Sequence, residues 1–298
     1  MLPIPLFFLE IFVKIGMDLI LLPLTLMSWL FSDWKLFPKG AHSKGMPAIV
    51  DSAVNGALGL ALTGVGLFTP ILMLITAFSM LAGSGGAPRA AIAMGQGDKE
   101  KAEKILGNCF TVLMGMAVVL TAVFYFACPA LLRWFGASDA TLPYAVEYAQ
   151  IYILGSIFVL ITMGMNTFIT TQGFAKIAML TTVIGAGINI ILDPILIFGL
   201  NMGVKGAAIA TVASQAVSAV WILLFLCGKK TILKLQPKNM MLVPSVILPC
   251  LGLGISSFIM VSTESILSIS FTSSLSRYGG DVAVGAMTVL TSINQLIT

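Results

Sequence analysis

Two polar residues lie inside one of the most apolar stretches of this sequence, GINIILDPILIFGL at 187–200. Their spacing of four places Asn189 and Asp193 on one face of a helix, one turn apart. Pro194 cannot donate a backbone N–H to the Ile190 carbonyl, so it bends the helix and leaves that acceptor beside the carboxylate. A carboxylate, an amide oxygen and a carbonyl are hard ligands that suit Na⁺, and the carboxylate alone suffices for a proton. The pattern predicts a site for Na⁺ or H⁺.

The alternative for Asp193 is a carboxylate that caps the helix or reaches the membrane interface. Seven residues follow it up to Leu200, roughly 10 Å of helix at 1.5 Å per residue. A short side chain does not reach water easily from that depth, and carboxylates inside apolar spans commonly face a polar cavity. A functional role is therefore favoured.

A second polar stripe follows on the next apolar run. Thr211, Gln215 and Ser218 recur at spacings of four and three, which also puts them on one helix face. For Thr211 and Gln215, hydrogen bonding between helices is the alternative to a ligand role. Glu264, in FIMVSTESILSI, is another carboxylate inside an apolar run, and it is a candidate for a second site.

The composition identifies the kind of molecule that must position these residues. Of 298 residues, 58% are hydrophobic and 9% are charged, and the mean hydropathy is +1.03. About a quarter of a soluble domain is charged, so the sequence predicts an all-α, polytopic membrane helix bundle. The net charge of +4 comes mainly from loop lysines and indicates orientation in the membrane, not nucleic-acid binding. No HExxH or GxSxG motif is present, so an enzyme is not expected.

Apolar runs long enough to cross a membrane give the expected order of helices. The glycines of GSGGAP, at 83–88, are expected to end the helix between the first two runs. Lysines and arginines are concentrated near 83–107, 171–176 and 228–242, which predicts that these loops are cytoplasmic. The predicted runs are 57–82, 108–132, 144–170, 177–200, 206–227, 247–272 and a last one from Val282.

Five stretches in order resemble the multidrug and toxic compound extrusion (MATE) family. They are GALGLALTGVGLFTPILMLI at 56–75, GAPRAAIAMGQGDKEKAEKILGN at 86–108, NTFITTQGFAKIAM at 166–179, GINIILDPILIFGLNMGVKGAAIATVASQ at 187–215 and TESILSISFTSSLSRYGGDVAVGAMTV at 263–289. The resemblance implies a six-helix first lobe with a truncated second lobe. It also implies antiport, in which Na⁺ or H⁺ drives the export of small organic cations across the plasma membrane (the bacterial inner membrane), with no other cofactor.

The resemblance also implies roles for individual residues. It carries Asn189, Asp193 and Thr211 onto the cation site of the first lobe, while Asp51 matches a helix-1 aspartate through short flanks only. Weaker candidates for the substrate cavity are Gln215, Asn166 and Glu264. The family's helix-4 motif commonly has Arg and Glu where this sequence has Thr170 and Gln172.

The expected division of the chain follows from the same likeness. Residues 1–49 do not match the family and form an atypical N-terminal segment. The other predicted parts are a first lobe at 50–228, a basic cytoplasmic linker at 229–246 and the start of a second lobe at 247–298. A second polypeptide that supplies the missing lobe is an expected partner beside membrane lipid. Two alternatives stay open: a non-transporting fragment or assembly partner, and a lipid-linked saccharide flippase of the same superfamily.

Overall fold

The computed structural model describes the backbone of residues 48–297. Side chains are described for residues 63–278 except Phe198, and for Val284, Met287 and Thr288. The predicted N-terminal segment therefore falls almost wholly outside the described residues, and so does the side chain of Asp51. Within residues 48–297 the regular structure is helical, without a strand, as the composition predicts.

The described chain runs through seven α-helices and two short helices of other pitch. The α-helices are α1 (Ala48–Gly95), α2 (Lys99–Trp134), α3 (Leu142–Leu154), α4 (Ser156–Thr171), α5 (Ala175–Pro194), α6 (Gly203–Cys227) and α7 (Pro244–Ile297). A π-helical turn, Ile195–Gly199, follows α5, and a 3₁₀ turn, Pro237–Asn239, lies between α6 and α7.

Five stretches of these helices are long and apolar enough to cross a membrane: Thr63–Gly95, Lys99–Trp134, Ala175–Ile197, Gly203–Cys227 and Pro244–Tyr278. Helices α3 and α4 pass the same test together, although they meet at an angle of 55°. The described residues thus provide five spans, or six if the bent pair is one span. The chain is a multi-pass membrane protein.

The contacts divide the chain into two compact units. The larger unit comprises 69–128 and 150–269 and contains α4, α5 and α6. In it α5 packs along α6, and α4 packs against both. The other unit comprises, among the described residues, 48–68, 129–149 and 270–297. There the rings of Phe68 and Tyr148 meet edge to face, with centroids 5.6 Å apart.

The predicted break at GSGGAP is wrong, because α1 continues through it to Gly95. The glycines are sites of close packing: a Cβ on Gly83 would lie 2.9 Å from the Gly164 carbonyl oxygen, and one on Gly85 would overlap the Cys250 carbonyl. A membrane offers no water to replace backbone hydrogen bonds, so glycine breaks a helix less readily there. The chain turns only at Gly97, whose φ of 78° lets the Asp98 N–H reach the Ala93 carbonyl at 3.0 Å.

Two other predicted runs differ from the structure in whether the helix is continuous. The single run predicted at 144–170 is divided at Gly155, where a Cβ would overlap the side chain of Val212 on α6. The separate run predicted from Val282 is the end of α7, which continues without interruption from Pro244 to Ile297. Hydropathy reports how apolar a run is. It does not show where a helix bends, as at Gly155, or where two apolar runs belong to one helix, as in α7.

Candidate cation and substrate site

Helix α5 buries a polar stripe and exposes an apolar face. Its buried residues are Ala178, Thr181, Asn189 and Asp193, at spacings of three, eight and four. By contrast, Ile191, between the two polar residues, is 63% exposed. This reverses the pattern of a soluble helix and is expected where the outer face meets lipid and the inner face meets polar groups.

The structure brings Asn189 and Asp193 together as their spacing predicts. They are 1% and 2% exposed, and the Asn189 Nδ2 donates to the Asp193 Oδ1 at 3.4 Å. Among the described residues, no Lys or Arg nitrogen lies within 4.0 Å of the Asp193 carboxylate. Within the described part of the chain, the carboxylate is therefore buried with one long hydrogen bond and no counter-ion.

Helix α6 packs directly over this part of α5. Gly185 faces the Ser218 hydroxyl, and a Cβ on Gly206 would lie 2.8 Å from the Leu196 carbonyl carbon. These two close approaches lie on either side of Asp193 along the chain. Small residues make them possible, because backbones approach closely only where side chains are short.

The second polar stripe is buried on α6, although its hydroxyl groups are occupied within the protein. The Thr211 Oγ1 donates to the Ala207 carbonyl at 2.9 Å, and the Ser218 Oγ donates to the Thr181 carbonyl at 3.3 Å. Thr211 thus lies on the helix that packs against α5, yet its recorded hydrogen bond stays within α6. Its oxygen retains a lone pair for a ligand.

Three buried amide oxygens in this unit have no hydrogen-bond donor among the residues that the structure describes: Asn166 Oδ1 on α4, Asn189 Oδ1 on α5 and Gln215 Oε1 on α6. The nitrogen of Asn166 donates to the Ala178 carbonyl at 3.3 Å, so its amide is fixed while its oxygen remains available. An unpaired buried acceptor costs roughly 1–3 kcal/mol. Such acceptors suit a cation or a ligand that carries donors.

The turn after Asp193 is the consequence of Pro194. The helix changes there from α to π geometry, and the Leu200 N–H bonds to the Ile195 carbonyl at 2.9 Å, five residues back. Pro194 has no N–H to offer the Ile190 carbonyl. π-helical turns are rare and occur often at functional sites.

The structure does not place the other predicted residues, Asp51 and Glu264, beside the Asn189–Asp193 pair. Asp51 belongs to α1, but its side chain lies outside the described residues. Glu264 lies on the exposed face of α7, while the neighbouring Ser265 is buried and donates to the Pro70 carbonyl at 2.9 Å. The assignment of Glu264 to a substrate cavity stays a prediction.

Sequence reasoning missed the role of Gln172, which follows the last residue of α4. Its Oε1 accepts hydrogen bonds from the Thr231 hydroxyl and from the Ile232 and Leu233 N–H groups, at 2.8, 3.0 and 2.8 Å. It thereby holds the segment after α6 against α4. The only local signal is a polar residue beside Gly173 at a helix end, which does not identify a partner about 60 residues away.

A family model described as MatE matches residues 46–195, a range that includes Asn166, Asn189 and Asp193. The multidrug export protein MepA of Staphylococcus haemolyticus is 28% identical over 221 residues, which are 73% of this chain and 48% of MepA. The probable multidrug resistance protein YoeA of Bacillus subtilis is 26% identical over 254 residues, 82% of this chain and 55% of YoeA. The chain spans about half the length of the curated relatives it matches.

Solved structures give the same likeness. The MATE multidrug transporter DinF-BH in complex with rhodamine 6G is 31% identical, with a TM-score of 0.79 over 98% of this chain and 60% of that one. An inward-facing multidrug resistance MATE family transporter of the MOP superfamily is 29% identical, with a TM-score of 0.75. The match covers 85% of this chain and 59% of that one.

Proposed function

This chain belongs to the MATE family, and from that membership we propose that it forms the first lobe of a multidrug exporter driven by Na⁺ or H⁺. The observation that carries the proposal is the buried Asn189–Asp193 pair beside Pro194. The coupling cation is a transported substrate in this scheme, and it binds to the Asp193 carboxylate and the unpaired Asn189 oxygen.

The chemistry of the site supports a monovalent cation. A single carboxylate, which has no basic partner within the described ranges, provides one negative charge that one Na⁺ or one proton neutralises. The Asn189 amide oxygen and a lone pair of the Thr211 hydroxyl are neutral oxygen ligands, which suit Na⁺. A proton needs the carboxylate only.

The proposed exported substrates are organic cations. The relatives' names include multidrug export, and one solved relative is a complex with rhodamine 6G. In this chain the unpaired oxygens of Asn166 and Gln215 are acceptors that a substrate with N–H groups can use. Drug export and cation import are coupled if the drug and the cation favour different states of the lobe.

Whole transport is proposed to need residues beyond those of this chain. Alternating access rocks two repeats about a shared site, and the chain spans about half of the relatives it matches. The rest of the cavity is proposed to come from a second lobe, in a longer or a second polypeptide. We place the protein in the plasma membrane, the inner membrane of a bacterium, with the segments near 83–107 and 228–242 on the cytoplasmic side.

Competition between drug and cation tests this function. Rhodamine 6G binding to the purified chain is followed by fluorescence polarisation while Na⁺ replaces K⁺ at constant ionic strength, and then while the pH is lowered. We expect one of the two cations to weaken rhodamine binding, because the Asp193 site and the drug favour different states. Rhodamine binding that responds to neither Na⁺ nor pH would overturn the proposed coupling, and no rhodamine binding would overturn the assignment of substrate contacts to Asn166 and Gln215.

A further inference from the structure

The segment 228–243, which joins α6 to α7 and is called the linker below, has a fixed path along the larger unit. Its first part is held by Gln172, whose Oε1 accepts three hydrogen bonds from residues 231–233. The Leu235 N–H also returns to the Leu226 carbonyl at 3.0 Å. The linker is therefore a folded element of the unit rather than a free connection.

Helix α2 holds the second part of the linker. The Glu103 carboxylate accepts from the Lys234 N–H at 3.2 Å and from the Gln236 Nε2 at 3.3 Å. The Asn108 Oδ1 accepts from the Val243 N–H at 2.7 Å. A Cβ on Gly107 would overlap the Asn239 carbonyl oxygen, so the linker backbone lies directly on α2.

In this arrangement the carboxylates near the linker already have partners, and most of the lysine side chains of the linker are exposed. Glu103 is occupied by the linker backbone and lies 3.9 Å from Lys99, while Glu100 pairs with Lys104 at 2.9 Å. Among the described residues, no carboxylate oxygen lies within 4.0 Å of an ammonium group of the linker lysines. These are Lys229, Lys230, Lys234 and Lys238; the first two and the last are exposed.

Apolar side chains are exposed on the same linker. Ile232, Met241 and Leu242 are 45%, 78% and 56% exposed. The linker joins the ends of two membrane spans, Gly203–Cys227 and Pro244–Tyr278, so it lies at the boundary of the bilayer. There an exposed apolar side chain enters the acyl region, while an ammonium group meets the lipid phosphates.

We propose that the linker is a binding surface for the headgroups of anionic phospholipids. A basic loop that only sets membrane orientation acts during insertion and needs no fixed conformation. Here four lysines are carried on a backbone that is held by Gln172, Glu103 and Asn108, and exposed apolar side chains lie on the same segment. Unpaired cations beside membrane-facing apolar groups match a lipid with a phosphate that carries net negative charge.

The test measures thermal unfolding of the detergent-solubilised full chain during titration with phosphatidylglycerol, and separately with phosphatidylcholine. We expect phosphatidylglycerol, but not phosphatidylcholine, to raise the unfolding temperature at low salt. The double variant Lys229→Gln with Lys230→Gln should need a higher concentration of phosphatidylglycerol for half of the full rise in unfolding temperature. The increase should be about fivefold per lysine, roughly 25-fold in all. The matched control is Arg133→Gln with Lys205→Gln, which removes two charges on the predicted opposite side and should leave that concentration unchanged.

Three further measurements separate lipid binding from other causes: a variant that keeps the charge, unfolding without lipid, and titration with inorganic phosphate. Lys229→Arg with Lys230→Arg keeps the charge and should keep the response, and unfolding without lipid shows whether each variant is folded. The proposal is overturned if the Gln variant responds like the unmodified chain, or if phosphatidylcholine stabilises equally. It is also overturned if inorganic phosphate gives the same stabilisation, because the surface then binds a small anion rather than a lipid. None of these outcomes depends on transport.

Discussion

Asp193 owes its environment to the order of residues along α5. Polar residues recur on the buried side, while Ile190 and Ile191 occupy the outer side. A carboxylate buried without a basic partner is costly unless it binds a cation or a proton. The neighbouring Asn189 offsets part of this cost through the hydrogen bond that its Nδ2 donates to the carboxylate.

Gln172 illustrates a residue whose role is structural, and it gives a direct prediction. Gln172→Leu removes the acceptor of three donors in the linker, and each unpaired buried donor costs roughly 1–3 kcal/mol. We expect a lower unfolding temperature and faster cleavage by trypsin at the lysines of the linker. Gln172→Glu retains an acceptor oxygen for the linker but loses the Nε2 donor to the Phe168 carbonyl, so the linker should stay more resistant to trypsin than in the Leu variant. Equal trypsin cleavage of the Leu variant and the unmodified chain would show that Gln172 does not hold the linker.

The crossing of α1 and α7 is set by glycines that bring two backbones into contact. A Cβ on Gly85 would overlap the Cys250 carbonyl, and a Cβ on Gly254 would overlap the Leu81 carbonyl. Small residues at such crossings give close packing, which is a main source of helix association in membranes. The crossing therefore tolerates very little extra volume.

Gly85→Val tests this crossing. The valine side chain has to displace the backbone of α7, and overpacking of this kind costs roughly 1–3 kcal/mol or more. We expect a clear fall in the unfolding temperature of the detergent-solubilised chain. Gly252→Val is the control on α7, because nothing lies within 4 Å of a Cβ at that position. A similar loss of stability in both variants would mean that helix propensity, not the crossing, causes the effect.

Local patterns predicted the helices and the Asn189–Asp193 pair, because hydropathy and a spacing of four are properties of neighbouring residues. They did not predict the continuity of α1 through Gly85, which packs against Cys250, or the bend at Gly155, which packs against Val212. The contact of Gln172 with Leu233 was missed for the same reason. The spacing of apolar and polar residues along a helix does not show which residues far away in the sequence that helix contacts.

The chain as a whole carries its basic residues unevenly among its loops. In a multi-pass protein that distribution predicts which loops face the cytoplasm. The short connection between α1 and α2 is exposed at Gln96, and the connection after α2 is exposed at Ala140. One span, Lys99–Trp134, separates them, so they should lie on opposite sides of the membrane.

Cysteine labelling in intact cells checks this orientation. In a Cys227→Ser background, which removes the exposed native thiol, a membrane-impermeant maleimide should label Ala140→Cys and not Gln96→Cys. Permeabilised cells should label both. Labelling of Gln96→Cys from outside would reverse the predicted sidedness of the loops at 83–107 and 228–242.

Infrared difference spectroscopy of the purified chain in lipid bilayers tests the proposed coupling site most directly, because it observes the carboxyl group itself. Spectra are recorded for exchange of K⁺ with Na⁺ and for a step from neutral to acidic pH. We predict a carboxyl band that responds to one of these changes, disappears in Asp193→Asn and persists in the matched variant Glu264→Gln. An unchanged band in Asp193→Asn would contradict the account, because the responding carboxyl group would then be another one.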